Sequence, residues 1–186
     1  MRVFGIQTSP NEDGLTASMA LAALEGAEAA GAETEIAHLR GLDIGACLAC
    51  KEGWGICRTE HSCIIADDFH SIREQIGQAD AVVISTPVYF GEPSEVTKSF
   101  FDRLRRCEFP LGEESLIYGT PAIVISAAGG SGGGAVTALE DMERYLRVIS
   151  IRPFDLITVT RFTREHKIET AKAAGAALVE FAKNGG

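Results

Sequence analysis

The chain has 186 residues, 46% of them hydrophobic, with a mean hydropathy of +0.09. That length and composition fit one globular domain with a sizeable core, and no apolar run reaches the ~18 residues needed to cross a bilayer. The net charge is −9, from 17 Lys plus Arg against 26 Asp plus Glu. It argues against nucleic acid or an anionic membrane as a partner.

Val3, Phe4 and Ile6 form a short apolar run, the pattern of a strand buried on both faces. Arg2 leads directly into that run, which is not the pattern of a secretory leader, so a cytoplasmic protein is expected. Polar turn formers fill positions 8–14. Leu15 then opens an Ala-rich helix to about residue 30, with Leu15, Met19, Ala22, Ala23 and Ala27 on one side. Residues 34–39 read as a second strand, and 40–66 as a long loop carrying four cysteines. Asp67 and Asp68 begin a second helix, with Phe69, Ile72 and Ile76 at helical spacing. Residues 81–85 form a third buried strand and 86–92 a loop. Pro93 is expected to start the third helix, on which Val96, Phe100 and Leu104 recur.

The stretch 107–119 is a loop rich in apolar residues, Phe109, Leu111, Leu116, Ile117 and Tyr118 among them. It either folds back or is covered by a partner subunit. Residues 121–126 read as a fourth strand, followed by a Gly-rich loop at 127–134. The next helix carries Ala135, Leu139, Met142 and Leu146. A fifth strand at 153–159 and a closing helix at 164–183 complete the chain. Five strands alternating with five helices predict a single α/β domain over 1–186. The fold is a five-stranded doubly wound parallel sheet in three layers, with a cysteine-rich insert at about 40–66. Ligands of such sheets bind beyond the C-terminal strand ends, where the loops 8–16, 86–92 and 127–134 all lie.

Each of these loops carries a specific chemistry. A strand that ends in a polar loop and feeds a helix N-terminus is an anion site, since free N–H groups and the helix dipole point at one spot. Loop 8–16 has no Lys or Arg and is not a Walker A sequence; its neutral donors suit one terminal phosphate. The plain alternative is an ordinary turn between strand and helix. Loop 86–91 sets Tyr89 and Phe90 beside Pro87, walls for a flat heteroaromatic ring or else plugs of the core. Residues 130–135 match G-x-G-x-x-A, the phosphate turn of dinucleotide-binding folds. The match follows the fourth strand instead of the first, and Arg161 stands where an acid should hold a ribose. A Gly-rich wall of a flavin pocket is the better reading.

Four of the five cysteines fall between positions 47 and 63, spaced C-x2-C-x6-C-x5-C. Without an export signal, a metal or redox role is the default. Cys47, Cys50, Cys57 and Cys63, or His61 in place of one, form a zinc-type donor set. Cys47 and Cys50 alone form a possible redox pair. Trp54 covers this centre, stacks near a ring or anchors the loop, and Cys107 is expected to be a buried or incidental thiol. His38, His61, His70 and His166 are scattered and no Ser/His/Asp set stands out, so no catalytic side chain is expected.

T-S-P-N-E-D-G-L-T at 8–16, T-P-V-Y-F-G-E-P-S at 86–94 with Lys98 and Asp102-Arg103, and the Gly-rich loop at 127–134 together resemble the NADPH-dependent FMN reductase family. That family belongs to the flavodoxin-like superfamily. The resemblance implies that Ser9, Asn11, Gly14, Leu15 and Thr16 hold the FMN phosphate. It implies that Pro87, Val88, Tyr89, Phe90 and Gly91 line the ribityl chain and ring, and that Ala128, Gly129 and Gly130 flank the ring's other side. NAD(P)H as co-substrate, a redox partner or small-molecule electron acceptor, and a homodimer or homotetramer follow from the same resemblance. The insert resembles the iron–sulfur flavoprotein branch, which implies a [4Fe–4S] cluster on Cys47, Cys50, Cys57 and Cys63. The sequence departs from that branch's compact C-x-x-C-x-x-C run, with Gly53 where the third Cys would stand. A flavodoxin-like electron carrier without its own substrate and a zinc-stabilised domain remain as alternatives.

Overall fold

The computed structural model describes residues 1–185, apart from the side chain of Lys51. In chain order the elements are β1 (Arg2–Gln7), α1 (Leu15–Ala29), β2 (Glu33–His38), α2 (Cys50–Gly53), α3 (Phe69–Gly77), β3 (Ala81–Tyr89), β4 (Glu92–Pro93), α4 (Glu95–Glu108), β5 (Pro121–Ala128), α5 (Ala135–Val148), β6 (Arg152–Thr160) and α6 (Arg164–Lys183). Five strands run parallel in the order β2-β1-β3-β5-β6, and the two-residue β4 pairs antiparallel with the end of β3.

Strand side chains alternate between two cores, as the period of two requires. Val3, Val83, Ile123 and Ile125 face Met19, Ala23 and Leu178 of α1 and α6. Phe4, Ile6, Ile84 and Val124 face Phe69, Phe100, Leu104 and Met142 of α3, α4 and α5. Helices α1 and α6 touch backbone to backbone. A Cβ on Gly26 would stand 1.9 Å from the carbonyl oxygen of Lys172, and one on Gly175 would stand 1.8 Å from that of Ala23. Only glycine permits that approach. No helix of the described residues is long and apolar enough to cross a membrane.

The alternation of strands and helices is as expected; the main departures lie in the segment 86–95. Thr86 to Tyr89 continue β3 as strand, because Val88 and Tyr89 pair with Pro93 and Glu92 across a two-residue turn. Phe90 (φ 53°) and Gly91 (φ 84°) are both left-handed, as a type I′ hairpin demands. Pro93 therefore lies in β4. Helix α4 starts two residues later, at Glu95, with Ser94 as its N-cap accepting the N–H of Thr97. The insert holds a 3-10 turn at Leu39–Gly41 and the single turn α2. After α4 the chain folds back only in part: Ile117 is buried, but Phe109, Leu116 and Tyr118 are exposed.

Candidate functional site

Interior strand β1 leads into Thr8 and Ser9, both buried, at the C-terminal edge of the sheet, where the N–H of Thr8 donates to the carbonyl of Ser85 at 3.1 Å. Ser9 Oγ accepts the N–H of Asn11 at 3.2 Å, and Gln7 Nε2 donates to the carbonyl of Asn11 at 3.0 Å. Gln7 Oε1 and Ser85 Oγ are buried without a partner. Helix α1 then begins with Gly14 at its N-cap, which offers no side chain, and with no acid in its first turn. Ser18 is the first helical residue to donate its N–H to a carbonyl, that of Gly14, at 2.9 Å. The positive end of α1 is thus unsatisfied by its own chain and faces the loop 8–16. From the other end of the chain, Arg164 Nη2 donates to Ser18 Oγ at 2.8 Å. This cation at the start of α1 is invisible in the loop's own composition.

Strands β1, β3 and β5 are adjacent, so the three loops after them are neighbours. The β3–β4 hairpin and the Gly-rich loop meet directly: Thr137 Oγ1 donates to the carbonyl of Gly91 at 2.7 Å, and a Cβ on Gly134 would stand 2.5 Å from Gly91 Cα. Pro87 and Ala128 are buried, Val88 is half-buried, and Tyr89 is 41% exposed. The Phe90 ring is fully exposed, so neither aromatic plugs the core. Gly129 and Gly130 are exposed, and a Cβ on either would meet nothing within 4 Å. Together these loops frame an open ledge with apolar walls, bare backbone and an uncapped helix N-terminus.

Beneath the ledge lies a buried cluster of hydroxyls that ties its parts together. Thr97 Oγ1 donates to Thr8 Oγ1 at 2.7 Å and lies 2.9 Å from both Thr86 Oγ1 and Ser94 Oγ. The N–H of Ser94 donates to Thr86 Oγ1 at 3.1 Å. Thr8, just after β1, and Thr86 of β3 are thereby fixed to the first turn of α4. Thr97 stands outside the sequence motifs, and only the topology brings it to Thr8.

The opposite end of α4 forms the floor of the cysteine insert. Cys47, Cys50, Cys57 and Cys63 line a single cavity together with Arg103, Arg106 and Cys107 of α4. All five cysteines are free thiols, so no disulfide joins Cys47 to Cys50. The open space is about 20 Å³, room for roughly one water. As placed, no three His, Cys, Asp or Glu side chains among the described residues stand close enough to hold a metal ion. The four thiols expected to converge on one metal centre share a cavity, and as placed they do not form an assembled coordination sphere. Trp54, between Cys50 and Cys57, packs against the core with the guanidiniums of Arg106 and Arg105 at 5.0 and 5.9 Å from its ring. That anchor fixes the long middle spacing to α4, in line with one of the roles expected for Trp54. His61 does not line the cavity. Cys107 does; it is buried, as one of its two expected readings has it, and burial pushes its thiol up to about 12, so it stays protonated at neutral pH.

Arg103 holds this insert in place from within. It is 1% exposed and its guanidinium lies 4.2 Å from the Phe69 ring centroid. Its Nη1 donates to Asp67 Oδ2 at 2.6 Å and to the carbonyl of Gly45 at 3.1 Å. Its Nη2 donates to Asp67 Oδ1 at 2.8 Å and to the carbonyl of Ile65 at 3.3 Å. Arg106 Nη1 donates to the carbonyl of Gly53, within the insert.

A parallel sheet in the order β2-β1-β3-β5-β6, wrapped by helices on both faces, has the flavodoxin-like fold. Solved structures agree. An archaeal flavodoxin superposes with a TM-score of 0.67 over 98% of this chain and 99% of its own, at 14% identity. A flavone reductase gives 0.76 over 99% of this chain, which spans 64% of that protein, at 19% identity. The sequence profile of the NADPH-dependent FMN reductase family matches residues 1–159, and the chain belongs to that family. FMN binding is a property of the family. The chain is 32% identical over 151 residues to an iron–sulfur flavoprotein of Methanocaldococcus jannaschii, covering 81% of this chain and 74% of that one. It is 29% identical over 151 residues to one from Methanosarcina thermophila, covering 80% and 74%.

Proposed function

We propose that this chain is an FMN-dependent oxidoreductase that takes electrons from NAD(P)H or a reduced carrier and delivers them to a redox partner or small-molecule acceptor. The observation that carries this reading is the uncapped N-terminus of α1, which faces a loop of neutral donors beside an apolar ledge. Ser9, Asn11, Gly14, Leu15 and Thr16 would hold the phosphate by hydroxyl, amide and backbone N–H donors. Pro87, Val88, Tyr89, Phe90 and Gly91 would wall the ribityl chain and ring on one side, and Ala128, Gly129 and Gly130 on the other. Bound FMN supplies the hydride and single-electron chemistry, and the protein supplies position and electrostatics.

The test compares FMN with FAD by fluorescence titration. FMN should bind and FAD much more weakly, because an adenylate replaces the enclosed terminal phosphate. Ser9→Asp should weaken FMN binding at least tenfold by setting a like charge against the phosphate. Equal affinity of variant and parent contradicts the phosphate site. NAD(P)H oxidation by the loaded protein separates a reductase from a flavodoxin-like carrier, which would show none.

The four insert thiols are read as ligands of a [4Fe–4S] cluster. The iron–sulfur flavoprotein relatives and the shared cavity support this. A zinc ion needs its donors to meet at one point, whereas a cluster takes one thiolate on each of four irons, so spread thiols suit the cluster better. The insert must open outward to admit it. A homodimer or homotetramer is proposed from the family and from the exposed Phe109, Leu116 and Tyr118; a monomer by sedimentation refutes it.

A further inference from the structure

The loop read as the phosphate site has an unbalanced charge. Residues 8–16 include Glu12 and Asp13, both exposed, and no Lys or Arg, in a chain of net charge −9. A phosphomonoester carries close to two negative charges at neutral pH. Neutral donors and a helix end worth about half a charge leave most of that uncompensated. The buried side chains nonetheless point to a ligand here. Gln7 Oε1 and Ser85 Oγ belong to register partners on β1 and β3, and both are fully buried without a partner. By the period of two they share a face with Val3 and Val83, which pack on α1. Gln7 Nε2 already reaches the loop, at the carbonyl of Asn11.

A cation arrives from elsewhere in the fold. Helices α1 and α6 lie side by side, and Arg164 is the first residue of α6. Its Nη2 donates to Ser18 Oγ at 2.8 Å, and Ser18 Oγ donates in turn to the carbonyl of Gly14, the N-cap of α1, at 2.9 Å. A guanidinium has five N–H donors. Among the described residues this is the one hydrogen bond of the Arg164 side chain, which is exposed and joins no ion pair there. The position does not serve α6 itself, because a cation in a first turn opposes the helix dipole.

We propose that Arg164 is a specificity-determining residue of the phosphate site: held at the start of α1 by Ser18, it supplies the positive charge that loop 8–16 lacks, and so favours a flavin that ends in a phosphate dianion. The proposal rests on the FMN reading above. FMN ends in such a dianion, riboflavin has no phosphate, and the phosphates of FAD are diesters with one charge each. Arg164 therefore selects on charge at the end of the ribityl chain and contributes nothing to binding of the ring.

The test titrates the flavin-free full chain with FMN and with riboflavin, followed by flavin fluorescence. At about 0.01 M salt, Arg164→Gln should weaken FMN binding about tenfold and leave riboflavin binding unchanged. Arg164→Glu should weaken FMN binding further. At about 0.15 M salt the gap between parent and Arg164→Gln should narrow, because salt screens an exposed charge. Arg147→Gln makes the same change in net charge in the last turn of α5, at the opposite edge of the sheet, and should move neither affinity. Equal losses for FMN and riboflavin, a loss for FMN no larger than that of Arg147→Gln, or no loss at all overturns the proposal. A parent that binds FMN no better than riboflavin overturns the phosphate-site reading itself. That result is distinct from a parent that prefers FMN and an Arg164→Gln variant that prefers it equally.

Discussion

Asp67 and Arg103 form an ion pair with side chains 3% and 0% exposed, joined by two hydrogen bonds. Burial alone would raise the Asp67 carboxyl. Hydrogen bonding from Arg103, and from the N–H groups of Gly45 and Phe69, holds it below the usual carboxylate value instead. A depressed folded pKa contributes stability that is fully present above the unfolded value of ~3.9 and is lost as pH falls through the folded value. Urea stability should therefore decline below about pH 4, and Asp67→Asn should remove this part of the decline. At neutral pH the variant should lose about 3–5 kcal/mol, because Arg103 is left buried without a counter-charge. A variant as stable as the parent, or one with the same acid slope, contradicts the role of the pair. The sequence shows Arg103 inside a recognisable motif but gives no sign of Asp67 as its partner, 36 positions away.

Helix α4 connects the two chemistries of the molecule. Its capped end belongs to the hydroxyl cluster under the ledge, and Arg103, about 13 Å further along at 1.5 Å per residue, belongs to the cysteine cavity. Thr97→Val keeps the shape of the side chain but leaves the hydroxyls of Thr8, Thr86 and Ser94 short of a partner. It should cost about 1–3 kcal/mol in thermal unfolding and weaken FMN binding, since Thr8 leads into the proposed phosphate loop. Unchanged stability and affinity would show that the cluster does not support the ledge. Helix α4 starts two residues after the expected Pro93 for a physical reason. Pro93 fits a first helical turn and a strand end equally well, and only its pairing with Val88 decides between them. The same pairing turns a loop into a hairpin that holds Phe90 outward at positive φ, a conformation uncommon for an aromatic residue.

At the scale of the whole molecule, the layer architecture was legible because periodicity separates buried parallel strands from amphipathic helices. Runs such as residues 81–85 admit one reading, and loop placement follows from chain direction. Contacts between distant segments were not legible. Arg164 beside Ser18, the Gly91–Gly134 approach and Cys107 in the thiol cavity depend on topology, not on local pattern. The cysteine insert was legible in composition only. Four thiols announced a site, and the structure adds that they face one small cavity floored by two arginines.

The most direct measurement is the visible absorption spectrum of the protein purified without oxygen, with flavin, iron and acid-labile sulfide determined on the same sample. The account predicts the resolved bands of an oxidised flavin, equimolar FMN on denaturation, and a broad underlying absorbance with iron and sulfide in equal amounts. A colourless protein that also fails to take up added FMN would contradict it.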